Sequence, residues 1–280
     1  MPLKKILVHV DHLEAGERRL RGAATVAGLL NASVNALFVD SWALWASASV
    51  YGPEITPALI ESQKSVSESQ QLRAKESFDR VSASGKVPMK WLVNEGDPAG
   101  RICANARVND LIVMGAGTGE YLTGPGLLNQ VVLSAGRPVL LLPDDFLVPR
   151  AEFDFKRIFI GWNNSREAAR AISDALPFLQ RADTVLIGTV VSEADERRAA
   201  EEIPLLLEYL EAHGLPVQVE IVSHTPPAGA GEVLLEAATA KQADMLVMGA
   251  YGHSRWREIV LGGTTRHVLK HANLPVLMSH

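Results

Sequence analysis

Cysteine is the first scarcity in this chain: among 280 residues only Cys103 is present. That excludes an intramolecular disulfide and any zinc cluster built on several cysteines. Flanked by Ile102 and Ala104, Cys103 reads as a small core residue. Long apolar runs are missing as well, none approaching the ~18 residues that a membrane-spanning helix needs. The opening segment MPLKKILVHVD reaches Asp11 after a short apolar run, which marks a buried strand and not a signal peptide. The cytoplasm is therefore the expected compartment. Positive charge is not in excess either. With 27 Lys and Arg against 32 Asp and Glu, the formal net charge is −5, a poor match for nucleic-acid phosphates. A small phosphate ligand held by a few backbone N–H groups remains compatible with that balance.

Three catalytic signatures are absent. Without Gly-x-Ser-x-Gly there is no nucleophile elbow for an α/β-hydrolase. Without Gly-x4-Gly-Lys-Ser/Thr there is no P-loop, and no Gly-x-Gly-x-x-Gly follows the first strand of either half.

What is present is a repeat. Lys5–Asp11 resembles Arg157–Asn163, Asp110–Gly115 resembles Asp244–Gly249, and Arg137–Leu142 resembles Leu274–Ser279. Three strand-like segments recur in one order, so the chain reads as a tandem duplication. The expected domains are 1–145 and 154–280, joined by the polar, proline-containing stretch 143–152. With 47% apolar and 21% charged residues, both halves have an ordinary globular composition.

Within each half, short Val/Ile/Leu runs alternate with helical patterns. Such runs indicate strands buried on both faces, the habit of parallel sheets covered by helices. In the second half, strands are expected near 157–162, 184–190, 216–222, 245–249 and 275–278. Helices are expected near 165–180, 195–213, 230–241 and 262–271. Ile203, Leu206, Leu207 and Leu210 form one stripe, and Gly214 ends that helix. The fold class is α/β, two tandem doubly wound five-stranded parallel-sheet domains of Rossmann-like type. Ligands of such sheets sit beyond the carboxyl ends of the strands, where the strand order reverses.

At the end of the fourth strand of the second half stands Gly249-Ala-Tyr-Gly252-His253, and further on Gly262-Gly263-Thr264-Thr265 opens a helix. Glycines at a strand end admit close approach of a ligand to the backbone. Free N–H groups at a helix N-terminus, with threonine hydroxyls, make an anion site. His253, Arg255 and Arg257 lie within the loop, where they can reach a phosphate or stay in solvent.

The spacing Gly-x2-Gly-x9-Gly at Gly249, Gly252 and Gly262 resembles the ATP-binding loop of the universal stress protein family, and both halves are similar to that family's fold. The resemblance implies an ATP-binding stress-response or regulatory protein. In it, a residue ending the first strand meets ribose or phosphate, one ending the second meets adenine, and the glycine loop cradles the phosphates. Those positions fall here on Asn163, preceded by Gly161 and Trp162; on Val190; and on Met248, Gly249, Gly252, His253, Gly262, Gly263, Thr264 and Thr265. The implied cofactor is ATP, with or without Mg²⁺. Two departures stand out: Asn163 replaces the usual Asp and is a poorer Mg²⁺ partner, and Gly263 replaces the Ser or Thr after the third glycine.

The first half keeps Asp11 at its first strand end. Its loop, however, carries Thr118, Glu120 and Pro125, so no nucleotide is expected there. About twenty extra residues follow its second strand, with Trp42, Trp45 and Tyr51 as aromatic anchors over the core or as a pocket or subunit contact. His267 and His271 lie four apart on the last helix, without an acidic or cysteine partner close in sequence, and read as surface or capping residues. The resemblance further implies association through the fifth strands, 138–142 and 275–279. That gives an internal pseudo-dimer, with a homodimer or an unknown protein partner beyond it. Two alternatives stay open: an adenine-nucleotide-using enzyme that hydrolyses ATP or adenylates a substrate, and an interaction module that binds no nucleotide.

Overall fold

The computed structural model describes residues 2–42, 57–115, 124–143, 154–191, 196–223, 229–252 and 263–280. His253, Arg255, Arg257 and Gly262, and in the first half Trp45, Tyr51, Thr118 and Glu120, lie outside the described residues. The chain divides into two compact units, one of residues Leu3–Arg137 and the other running from Pro138 to His280.

In the first unit β1 (Lys5–Val10), β2 (Ser33–Asp40), β3 (Met89–Glu95) and β4 (Leu111–Gly115) form a parallel sheet in the order β3-β2-β1-β4. All five residues of β4 are buried, as a strand covered on both faces requires. Between the strands run α1 (Glu14–Leu30), α2 (Pro57–Ser82) and α3 (Pro98–Ala106), with α4 (Gly124–Ser134) after β4. Cys103 is buried on α3 as the sequence suggests.

In the second unit β6 (Arg157–Gly161), β7 (Thr184–Val191), β8 (Val217–Ser223), β9 (Met245–Gly249) and β10 (Val276–Ser279) are parallel in the order β8-β7-β6-β9-β10. Its helices are α5 (Arg166–Leu179), α6 (Glu196–Ala212), α7 (Ala230–Ala240) and α8 (Gly263–His271). The α6 stripe is borne out, with Ile203, Leu206 and Leu210 buried. Gly214 follows that helix at φ 70°, and Leu215 N donates back to Leu210 O, a left-handed stop that favours glycine.

Sequence repeat and packing unit part company at β5 (Val139–Leu142). By sequence it closes the first repeat, yet it packs in the second unit, antiparallel to β10, with Leu141 opposite Val276 and Val139 opposite Met278. The five strands of the second repeat are parallel as expected, and the antiparallel contact of β5, which also neighbours β4, with β10 joins the two fifth-strand segments, 138–142 and 275–279, that the resemblance names. The four residues of β5 are all buried, so leaving its edge uncovered would expose apolar surface and unpaired backbone. The strand order reverses between β6 and β9, and the carboxyl ends of those two strands define the place for a ligand.

Candidate functional site

The site is built outward from β6. Gly161 ends the strand, Trp162 N donates to Gly188 O at 2.9 Å, and Asn163 begins the turn into α5. Asn163 Oδ1 accepts from Ser165 Oγ at 2.7 Å and from Ser165 N at 3.3 Å. Asn164 takes the left-handed conformation, φ 53°, which asparagine tolerates better than most residues. Ser165 caps α5, its Oγ accepting from Ala168 N at 3.1 Å. The indole Nε1 of Trp162 is shielded from solvent and has no acceptor among the described residues.

From β9 comes the turn Gly249–Gly252, pressed against the N-terminus of α5. A Cβ on Gly249 would stand 2.5 Å from Ala168 N, and one on Gly252 would stand 2.8 Å from Glu167 Oε2. Gly249, which faces backbone atoms of α5, is thus required for close packing whether or not a ligand is present, whereas the neighbours of Gly252 are the Glu167 and Ser165 side chains. Glu167 is buried. Burial alone would raise its carboxyl; the hydrogen bond from Arg166 Nε, its own backbone N–H and the charges of Arg166 and His280 outweigh that and hold it below its ordinary value. Tyr251 N donates to Thr265 Oγ1 at 3.2 Å, joining the turn to α8. Burial pushes the Tyr251 phenol up to about 12, so it stays protonated at neutral pH.

The third wall consists of two helix N-termini side by side. Gly231 lets them meet: a Cβ there would lie 2.7 Å from Thr264 O and 2.9 Å from His267 Cβ. Unsatisfied N–H groups and the helix dipole give each such end a partial positive charge.

These elements enclose a cavity of about 320 Å³. Gly161, Trp162 and Asn163 line it from β6, and Gly188 and Val190 from β7. Ala230 and Leu234 contribute from α7, while Met248, Gly249, Tyr251 and Gly252 come from the β9 turn. Gly263, Thr264 and Thr265 complete it from α8. Every described residue of the sequence-derived site is brought together here; His253 and Gly262 lie outside the described residues. Sequence reasoning missed Gly188, Ala230, Leu234 and Tyr251. Only Gly188, a glycine inside an apolar strand, carried a signal of close approach. Among the described residues no charged side chain lines the cavity, and none form a cluster of three or more His, Cys, Asp or Glu that could hold a metal ion. His267 and His271 lie on α8 with ring centroids 4.5 Å apart, forming a pair rather than such a cluster.

The matching strand end of the first unit is differently employed. Asp11 Oδ1 accepts from Leu13 N at 3.0 Å and Oδ2 from Arg19 Nη1 at 3.1 Å. Burial would raise the Asp11 carboxyl, but Arg19 and His9 overcome it and hold it below its ordinary value. Trp42 N donates to Asp40 Oδ1 at 3.1 Å, so the described one of the three aromatic anchors begins as a turn on the end of β2.

A sequence profile described as the Universal stress protein family matches residues 2–143 and 154–280. A universal stress protein of Synechocystis sp. is 26% identical over 174 residues, covering 60% of this chain and 57% of that one. One from Methanocaldococcus jannaschii is 30% identical over 89 residues, covering 32% of this chain and 50% of that one. The chain thus spans about half the length of these two relatives. Its fold is similar to the crystal structure of a universal stress protein from Archaeoglobus fulgidus, with a TM-score of 0.72 and 19% identity. That likeness covers 98% of this chain and 97% of the other. A functionally unknown protein from Pseudomonas aeruginosa shares the fold at a TM-score of 0.59 and 16% identity, over 99% and 92% of the two chains.

Proposed function

Because this chain belongs to the universal stress protein family, we propose that its second repeat holds an adenine nucleotide, ATP, and acts through ligand-dependent conformation or association. The observation that carries this reading is the meeting of two helix N-termini, at the reversal of strand order, on one cavity that no charged side chain lines among the described residues. At 320 Å³ the cavity falls at the lower end of ligand pockets, which run ~300–1,000 Å³. A phosphate group would meet the backbone N–H groups of Gly263–Thr265 and the Thr264 hydroxyl. A purine would lie among Val190, Leu234 and Met248, beside Gly188. The Asn163 amide would face the ribose. Mg²⁺ would add little at Asn163, whose Oδ1 already accepts from Ser165.

In this reading the first repeat is silent, because Asp11 is held by Arg19 and Leu13. The repeats are arranged as a pseudo-dimer through the fifth strands, and the protein works in the cytoplasm. No described helix is long and apolar enough to cross a membrane.

One observation favours a rival, an interaction module without nucleotide. Gly249 is already explained by its contact with the backbone of α5, so it is no evidence for a ligand. Calorimetric titration of nucleotide-stripped protein with ATP, with and without Mg²⁺, separates the two. The expected result is saturation near one per chain with little Mg²⁺ dependence. Two per chain would return the first repeat to use, and no binding by folded protein would leave the interaction module.

A further inference from the structure

The turn that lines the cavity is held from behind by the last two residues of the second unit. Ala250 is fully buried, and both of its backbone polar groups are engaged there. Its N–H donates to Ser279 O at 2.9 Å, and its carbonyl stands 3.0 Å from His280 Nδ1. A carbonyl can only accept, so the contact requires a proton on His280 Nδ1, present in the Nδ1–H tautomer and in the imidazolium alike. Ser279 is anchored in turn, its Oγ donating to Asp174 Oδ2 on α5 at 2.9 Å. The imidazole also meets the Tyr251 ring edge to face, centroids 6.3 Å apart at 73°.

Tyr251 shows why the turn needs holding. Its φ is 63°, a left-handed conformation that costs a residue with a Cβ about 1–2 kcal/mol. Strain of this kind persists only where the surroundings over-determine it. Here they do so from two sides: Thr265 Oγ1 accepts the Tyr251 N–H, and His280 fixes the preceding carbonyl. Tyr251 and Gly252 both line the cavity, so the shape of this turn is the shape of one wall.

We infer that His280 is a positioning residue of the cavity, its Nδ1–H holding the Ala250 carbonyl so that Tyr251 and Gly252 keep their places in the wall. The contact fixes the turn in the ligand-free protein; its effect on affinity rests on the nucleotide reading above.

Two variants separate the hydrogen bond from the ring contact. His280→Phe keeps a ring against Tyr251 and removes the donor. His280→Asn keeps a donor near the Nδ1 position and removes the ring. In ligand-free protein, amide exchange at Ala250 and Tyr251 is expected to quicken about 3- to 10-fold in His280→Phe, the range of one lost hydrogen bond, and to stay within about twofold in His280→Asn. The dissociation constant for ATP, measured well below the melting temperature, is expected to rise by the same factor in His280→Phe and to be rescued in His280→Asn. A purely stabilising role would lower the melting temperature and leave that constant alone. Wild-type exchange and affinity in His280→Phe, or an Asn variant no better than Phe, would overturn the inference. If exchange behaves as expected while no form binds ATP, the positioning role stands and the nucleotide reading falls.

Discussion

The Arg19 guanidinium is buried beneath the end of β1 and donates from Nη1 to Asp11 Oδ2 at 3.1 Å. The same group donates to His9 O at 2.9 Å, and a Cβ on Gly115 would lie 2.3 Å from Arg19 Nη2. One side chain therefore binds the carboxyl end of β1 and lies against that of β4. The two repeats share a topology, and the residue that ends the first strand has different partners in each: Arg19 and Leu13 for Asp11, Ser165 for Asn163.

An asymmetry between the partners is expected from this pair. Asp11→Asn leaves a buried guanidinium without its counter-charge, whereas Arg19→Met leaves a partly exposed carboxylate that water can reach. The first should cost about 3 kcal/mol and the second about 2, or less. Urea unfolding of both variants at pH 7 checks the order; a costlier Arg19→Met would contradict it.

His9 makes the first unit acid-sensitive. Burial first, and the Arg19 charge second, lower its pKa from 6.5 to about 4, against a smaller opposing pull from Asp11. Above pH 6.5 the stabilisation by neutral His9 is complete. As pH falls towards about 4, the unfolded chain takes up a proton that the folded one refuses, so stability is lost. Asp11, whose folded pKa is depressed, adds a loss in the same direction below 3.8. The urea midpoint should fall between pH 6.5 and 4.5 in the wild type and fall less in His9→Phe. Equal slopes would contradict the assignment.

Two strand glycines facing the cavity should respond differently to alanine. At Gly188 a Cβ would lie 2.2 Å from Phe159 Cζ, inside a packed core, and the overlap should cost about 1–3 kcal/mol. At Gly161 it would meet the Leu234 methyls at 3.0 and 3.1 Å, the movable end of a side chain that lines the cavity. Gly161→Ala should therefore stay folded and weaken ATP binding several-fold. Thermal melts beside titrations separate the cases, and an unstable Gly161→Ala with unchanged affinity would be the opposite of what is expected.

Much of this was legible in the sequence because it depends on local pattern. Continuous apolar runs gave the parallel strands, the stripe from Ile203 to Leu210 gave α6, and Gly214 gave its end. The strand ends at Asn163 and Gly249 pointed to the site because topology alone brings them together. What could not be read depends on packing between distant segments. Leu234 and Ala230 reach the cavity only because Gly231 lets α7 touch α8. The capture of Asp11 by Arg19 follows from which face α1 turns to the sheet. Gly249 and Gly252 line the cavity, and their contact with the start of α5 is a second role that the local pattern does not show.

The most direct measurement uses Gly263, the cavity-lining glycine of α8. A Cβ built there meets nothing within 4 Å among the described residues, so a side chain clashes with none of them. In Gly263→Asp, a carboxylate in the first turn of α8 should hold or slightly raise the melting temperature, by complementing the helix dipole. The same carboxylate would occupy the place proposed for phosphate. Titration with ATP beside a thermal melt is expected to show saturable binding in the wild type, and an intact fold with at least tenfold weaker binding in the variant. Equal affinity in the two folded proteins would contradict a phosphate site at the α8 N-terminus, and with it the proposed function.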